Sequence, residues 1–203
     1  MNVNYITGME EYTDYLMEAE YQFYSVNNDA EALRLSLKAR EKGYNHCLFN
    51  YIIGFCFNNG RGGADIDKRK AGKYFLASAE ARDTNGIYYD DKHADESRAI
   101  LAEDYSIRNS LFNAIDANKA IEYCNVLISH NRYAEDALLY LTMIYGMPEH
   151  GCQDIEKALA YCNKLLQISA DPDSRARAAS IKRNLEEYLP RKKSMFGSRW
   201  GRR

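Results

Sequence analysis

The stretch NNGRGGADIDKRKAGKYF, residues 58–75, holds glycines at Gly60, Gly62 and Gly63 and a Gly72-Lys73 step. These are the ingredients of a loop that cradles phosphate with backbone amides and a lysine. That chemistry requires a glycine separated from the Gly-Lys pair by four residues and a Ser or Thr after it. Asp67 and Tyr74 occupy those positions instead, so the match fails at both ends.

Two sets of metal-ligating types lie close in sequence: His46 with Cys47 and Cys56, and His150 with Cys152 and Cys162. Neither has the paired Cys-x-x-Cys spacing of a zinc site, so no metal, catalytic residue or cofactor is assigned. Nucleophilic catalysis would call for a Ser or Cys with a His and an acid, and no Gly-x-Ser-x-Gly elbow occurs. The four histidines, His46, His93, His130 and His150, fall at expected helix ends or in loops and read as solvated. The chain is therefore not read as an enzyme, and no small-molecule substrate is expected.

The elements around these residues are helical. Three prolines in 203 residues leave long stretches free to form helix, and a sheet protein of this size would carry more turn punctuation. The longest apolar stretch, Cys47–Phe57, is interrupted by Asn50 and is about half of a bilayer span. The N-terminal MNVNYITGMEEY lacks the basic and apolar segments of a secretory signal. Five cysteines at irregular spacings fit reduced thiols, so the expected location is cytoplasmic.

The chain repeats itself. DKRKAGKYFLAS from Asp67, DANKAIEYCNVL from Asp116 and DIEKALAYCNKL from Asp154 share Asp-x-x-Lys-Ala, and NDAEALRLSLKA from Asn28 is a weaker copy. The starts are 39, 49 and 38 residues apart. Ala120, Ile121, Cys124, Leu127 and Ile128, matched by Ala158, Leu159, Cys162, Leu165 and Leu166, fall on one helical face. The opening Asn or Asp suits a helix start.

A second helix precedes each copy: residues 9–26, 46–58, 94–108 and 133–146. Gly54, Ala102 and Thr142 each stand three residues before an aromatic, Phe57, Tyr105 or Tyr145, and such small residues let neighbouring helices approach closely. The expected architecture is all-α: a right-handed α-solenoid of about four helical hairpins, 8–44, 45–83, 94–131 and 132–170. A capping helix over 171–189 closes this single domain of residues 1–190. Residues 191–203 form a basic, aromatic tail.

The pattern Gly54, Phe57, Gly60, Gly62, Asp67, Lys70, Ala71, echoed by Thr142, Tyr145, Gly151, Asp154, Lys157, Ala158, resembles the Sel-one-like repeats, relatives of the tetratricopeptide repeats. The resemblance covers roughly residues 45–170. It implies an adaptor that holds a protein or peptide on a concave surface, and it implies no catalytic residues; the expected protein is a cytoplasmic, bacterial adaptor. The 17 tyrosines among 25 aromatics suit such a contact surface.

Two segments add candidate contacts. The longer interval between the second and third copies places Tyr88 and Tyr89 in an acidic insertion, DTNGIYYDDKHADE, residues 83–96. It reads either as a partner contact or as a loop folded back on the body. The last 13 residues, RKKSMFGSRWGRR, carry six basic side chains and no acid, so the first 190 hold 21 of the 27 cations and all 29 acids. Phe196, Arg199 and Trp200 could anchor this tail on an acidic protein groove, lie at an anionic membrane with about 1 kcal/mol per cation at best, or belong to a solubilising end. Nucleic acid would meet the same charge, but the acidic body repels polyanions and nucleic acid is not the expected partner.

Overall fold

The computed structural model describes the backbone of residues 3–81, 91–107 and 111–197 and the side chains of 10–81, 92–107 and 111–189. Among the described residues there are nine α-helices and no strand, so the protein is all-α. In chain order they are α1 Val3–Glu20, α2 Asp29–Glu41, α3 Cys47–Asn59, α4 Lys68–Ala79, α5 Asp91–Ile107, α6 Ala117–Ser129, α7 Ala134–Gly146, α8 Ile155–Ile168 and α9 Pro172–Gly197. A π-helical turn, Tyr21–Val26, continues α1, and a short 3₁₀ turn, Pro148–His150, leads toward α8.

The polar residue opening each sequence copy is the N-cap. Asn28, Asp67, Asp116 and Asp154 accept hydrogen bonds from the amides of Glu31, Lys70, Lys119 and Lys157, which satisfies donors that have no intrahelical partner. At the other end of the π-helical turn, Asn27 takes the left-handed conformation, φ 57°, that stops the helix. The capping helix expected over 171–189 runs further, and α9 continues through Pro190 to Gly197. Proline removes one N–H, but its fixed φ is close to the helical value.

Contacts group the chain into two compact units, residues 1–104 with 109–113 and residues 105–108 with 114–203. In the first, α2 packs on α1 and α3, and α3 packs on α4. Ser78, near the end of α4, donates to the carbonyl of Cys47 at the start of α3, so these helices run antiparallel. Phe23, Ala32, Leu35, Phe49, Ile52 and Ile53 form its core.

In the second unit α7 packs between α6 and α8, and α8 packs on α9. Leu138, early in α7, clusters with Cys162 and Leu165, late in α8, and Ile155 and Ala158, early in α8, cluster with Leu185 of α9. α8 therefore runs antiparallel to both α7 and α9. Phe75, Cys124 and Cys162 hold the same place in the three copies, and all are fully buried. Burial of Phe75 contributes up to about 3 kcal/mol. Among the described residues no helix is long and apolar enough to cross a membrane.

Candidate partner-binding grooves

One constellation recurs three times. The N-cap amides of Asp67, Asp116 and Asp154 donate to the carbonyls of Phe57, Tyr105 and Tyr145, at 2.9, 3.1 and 2.8 Å. The lysine three residues on, Lys70, Lys119 or Lys157, then sits over that same aromatic ring, 3.8, 5.2 and 5.1 Å from its centre. The ring lies nearly parallel to a tyrosine of the following helix in the pairs Phe57–Tyr74, Tyr105–Tyr123 and Tyr145–Tyr161, with interplanar angles of 10°, 19° and 16°. The repeated Asp-x-x-Lys therefore joins the end of one helix to the start of the next through a cap, a carbonyl and a ring.

This constellation disposes of residues 58–75 as a phosphate loop. Gly60, Gly62 and Gly63 have φ of 65°, 65° and 80° and turn the chain between α3 and α4. A Cβ at Gly62 would stand 2.7 Å from the carbonyl oxygen of Asp29, and Arg61 beside it pairs with the Asp29 carboxylate at 2.5 Å. Gly72 is not in the loop. It is buried within α4, where a Cβ would meet the ring of Phe112 at 2.8 Å.

Two grooves on the described surface bear on function. In the second unit, α7 and α9 flank a groove of about 460 Å³. Met143, Met147, Ile155, Ile181, Leu185 and Tyr188 make it mainly apolar, with Arg177, Ser180 and Asn184 along the α9 side. Gly146 lets α9 come close, since a Cβ there would lie 3.1 Å from Leu185. Met147 and Tyr188 are 37% and 40% exposed despite their apolar bulk. In the capping helix Ala178, Ile181, Leu185, Tyr188 and Leu189 share one face by their spacing. Four of them are buried or half-buried, while Tyr188 stands at the groove.

The groove of the first unit, about 530 Å³, has the opposite character. Arg40 at the end of α2 faces Arg69, Lys70, Lys73 and Tyr74 of α4, with Asp67 at one edge. Composition could not point to either groove, because each joins residues about 30 or more positions apart. The Lys68-Arg69-Lys70 run with Lys73 was the sequence signal available for the basic one.

The reading of the histidines as solvated needs correction. His46 and His93 are only 5% and 1% exposed, His150 is half-buried, and His130 alone of the four is exposed. His46 turns its ring inward because Nδ1 accepts from the amide of Leu48 and so caps α3. His93 packs against the rings of Tyr24 and Tyr51, at 5.6 and 5.8 Å. His150 donates from Nε2 to the carbonyl of Ser106 at 2.6 Å.

Of the cysteines and histidines considered for metal, Cys47 Sγ lies 3.8 Å from Nδ1 of His46, the nitrogen that caps α3. Cys162 donates to the carbonyl of Ala178, and Cys152 to that of Ile144. Among the described residues no group of three or more His, Cys, Asp or Glu could hold a metal ion. Burial pushes the Cys56 and Cys124 thiols up to about 12, with the Asp29 charge adding to the effect at Cys56. These are protonated packing groups, not nucleophiles.

Asp104 is a buried acid that sequence reading missed. Its two carboxylate oxygens accept from the amides of Leu111 and Phe112, at 2.9 and 3.2 Å. Burial raises its pKa above the usual carboxylate range, and the two amides partly offset this. The group anchors a turn.

Tyr88, Tyr89, Arg199 and Trp200 lie outside the described residues, and Phe196 is described only as part of the α9 backbone. No family model, curated protein or solved structure matches the chain.

Proposed function

We propose that this chain is a scaffold or adaptor that binds another protein or a peptide, built as an α-solenoid of about four Sel-one-like hairpins closed by α9, with the partner on the concave face. The observation that carries the reading is the open apolar groove between α7 and α9, where Met147 and Tyr188 expose apolar surface beside Met143, Ile181 and Leu185. Methionine and tyrosine adapt to varied apolar side chains, and a few polar groups at the rim fix orientation. The threefold cap, carbonyl and ring junction supports the repeat architecture. A cytoplasmic location accords with five cysteines of which none is in a disulfide.

The test is affinity purification of the tagged full chain with identification of bound proteins, repeated with Met147→Glu/Tyr188→Glu and with residues 191–203 deleted. A partner held by the wild type and by the deletion, but lost from the double variant with its melting temperature unchanged, supports the scaffold reading. A partner kept by the double variant and lost on deletion of the tail overturns it in favour of a factor acting through its basic end.

A further inference from the structure

We infer that the basic groove of the first unit, between the end of α2 and α4, is a second binding site, one that takes an acidic segment of a partner protein through its carboxylates. Four of the side chains lining this space of about 530 Å³ are cationic and one is acidic. Asp67, whose Oδ1 caps α4 through the amide of Lys70, can offset only one of the four positive charges. Arg40 is oriented by two neutral acceptors, the carbonyl of Tyr44 at 3.4 Å and the side-chain oxygen of Asn45 at 2.6 Å. Its charge is held in place without an acid paired to it among the described residues.

Of the remaining cations, Arg69 and Lys73 take no part in the junction between α3 and α4. Arg69 and Lys73 stand four residues apart on α4, both exposed, and neither pairs with an acid among the described residues. Like charges at this spacing repel and destabilise a helix. Lys70 lies over the Phe57 ring, which attracts the ammonium but leaves its charge uncancelled. An anion between Arg40, Arg69 and Lys73 would relieve the repulsion. The fork of each guanidinium matches a carboxylate with two parallel hydrogen bonds. Tyr74 supplies a ring edge for the apolar stem of a glutamate.

The choice of a protein segment over nucleic acid follows from the surroundings. Residues 1–190 carry 29 acids against 21 cations, so a long polyphosphate leaving the groove meets net negative charge, while a short acidic segment touches only the basic patch. That the ligand is protein rests on the scaffold reading above, but the test below needs no natural partner and does not involve the α7–α9 groove.

The full chain is titrated at low ionic strength into fluorescein-labelled hexaglutamate, hexaglutamine and oligothymidine, with binding read by fluorescence anisotropy. The same is done with Arg69→Ala/Lys73→Ala and, to control for the basic end, with Lys192→Ala/Lys193→Ala. The expected result is binding of hexaglutamate and not hexaglutamine, weakened about tenfold or more by Arg69→Ala/Lys73→Ala at a melting temperature that is not lowered, and unaffected by Lys192→Ala/Lys193→Ala. Absence of hexaglutamate binding, or binding that survives Arg69→Ala/Lys73→Ala, overturns the inference. So does loss on Lys192→Ala/Lys193→Ala, or oligothymidine binding tighter than hexaglutamate and lost with Arg69 and Lys73, which would give the groove to nucleic acid. A positive titration alongside a partner that ignores Met147→Glu/Tyr188→Glu would leave this site standing and remove the apolar one.

Discussion

The ammonium of Lys70 stands 3.8 Å above the centre of the Phe57 ring, across the turn between α3 and α4. The same pairing joins Lys157 to Tyr145 at 5.1 Å, so the spacing of Asp-x-x-Lys after an aromatic has a physical purpose. A double-mutant cycle with Lys70→Gln and Phe57→Leu should give a coupling of about 0.5–1 kcal/mol, the range for a partly exposed cation over a ring. The cycle for Lys157 and Tyr145 should give less, because the ammonium is farther from the ring. Chemical denaturation of the single and double variants measures both.

Gly62 and Gly63 share a left-handed backbone but not its surroundings. A Cβ at Gly62 would stand 2.7 Å from the Asp29 carbonyl oxygen, a backbone atom that cannot rotate away, whereas nothing lies within 4 Å of one at Gly63. Gly63→Ala should cost only the left-handed penalty, about 1 kcal/mol. Gly62→Ala should cost about 2 kcal/mol or more, since α2 must also move. Equal losses in thermal denaturation would mean that the contact with Asp29 is not rigid.

Asp104→Ala should lower stability by about 2–3 kcal/mol, because the amides of Leu111 and Phe112 lose an ionised acceptor in a buried setting. Asp104→Asn keeps one acceptor and removes a buried charge, so it should cost less. The order Ala below Asn below wild type in denaturant midpoint is the expected outcome.

The thiols give a pH dependence whose sign is fixed by burial. Cys56 and Cys124 are pushed up to about 12, above the unfolded value of about 8.5, so the folded chain holds their protons more tightly. Their contribution to stability is fully present below about pH 8.5 and is lost as the pH rises toward 12. Melting temperature should therefore be insensitive to these groups through the neutral range and fall in alkali, less steeply in Cys56→Ala/Cys124→Ala relative to its own neutral value. Iodoacetamide at neutral pH should label half-buried Cys152 before Cys56 or Cys124, as read by peptide mass spectrometry.

By itself the amino-acid sequence determined the local order. Helix faces repeat every 3.6 residues, so Ala120, Cys124 and Leu127, or Ala158, Cys162 and Leu165, declare a buried stripe from neighbours only a few positions apart. A cap such as Asp154 and its amide at Lys157 are likewise a matter of three residues, and the helical position of Gly72 followed from the alignment of the copies. What lay beyond that range was decided by the tertiary structure. His93 reads as a loop residue until α5 brings it against Tyr24 and Tyr51, and nothing near Asp104 in sequence announces that the amides of Leu111 and Phe112 close on it. The grooves depend on Arg40 meeting Lys73 and on Met147 meeting Tyr188. Such meetings are set by how helices pack, through the close approach that Gly146 allows and the turn that Gly62 makes, and no periodicity within one helix encodes them.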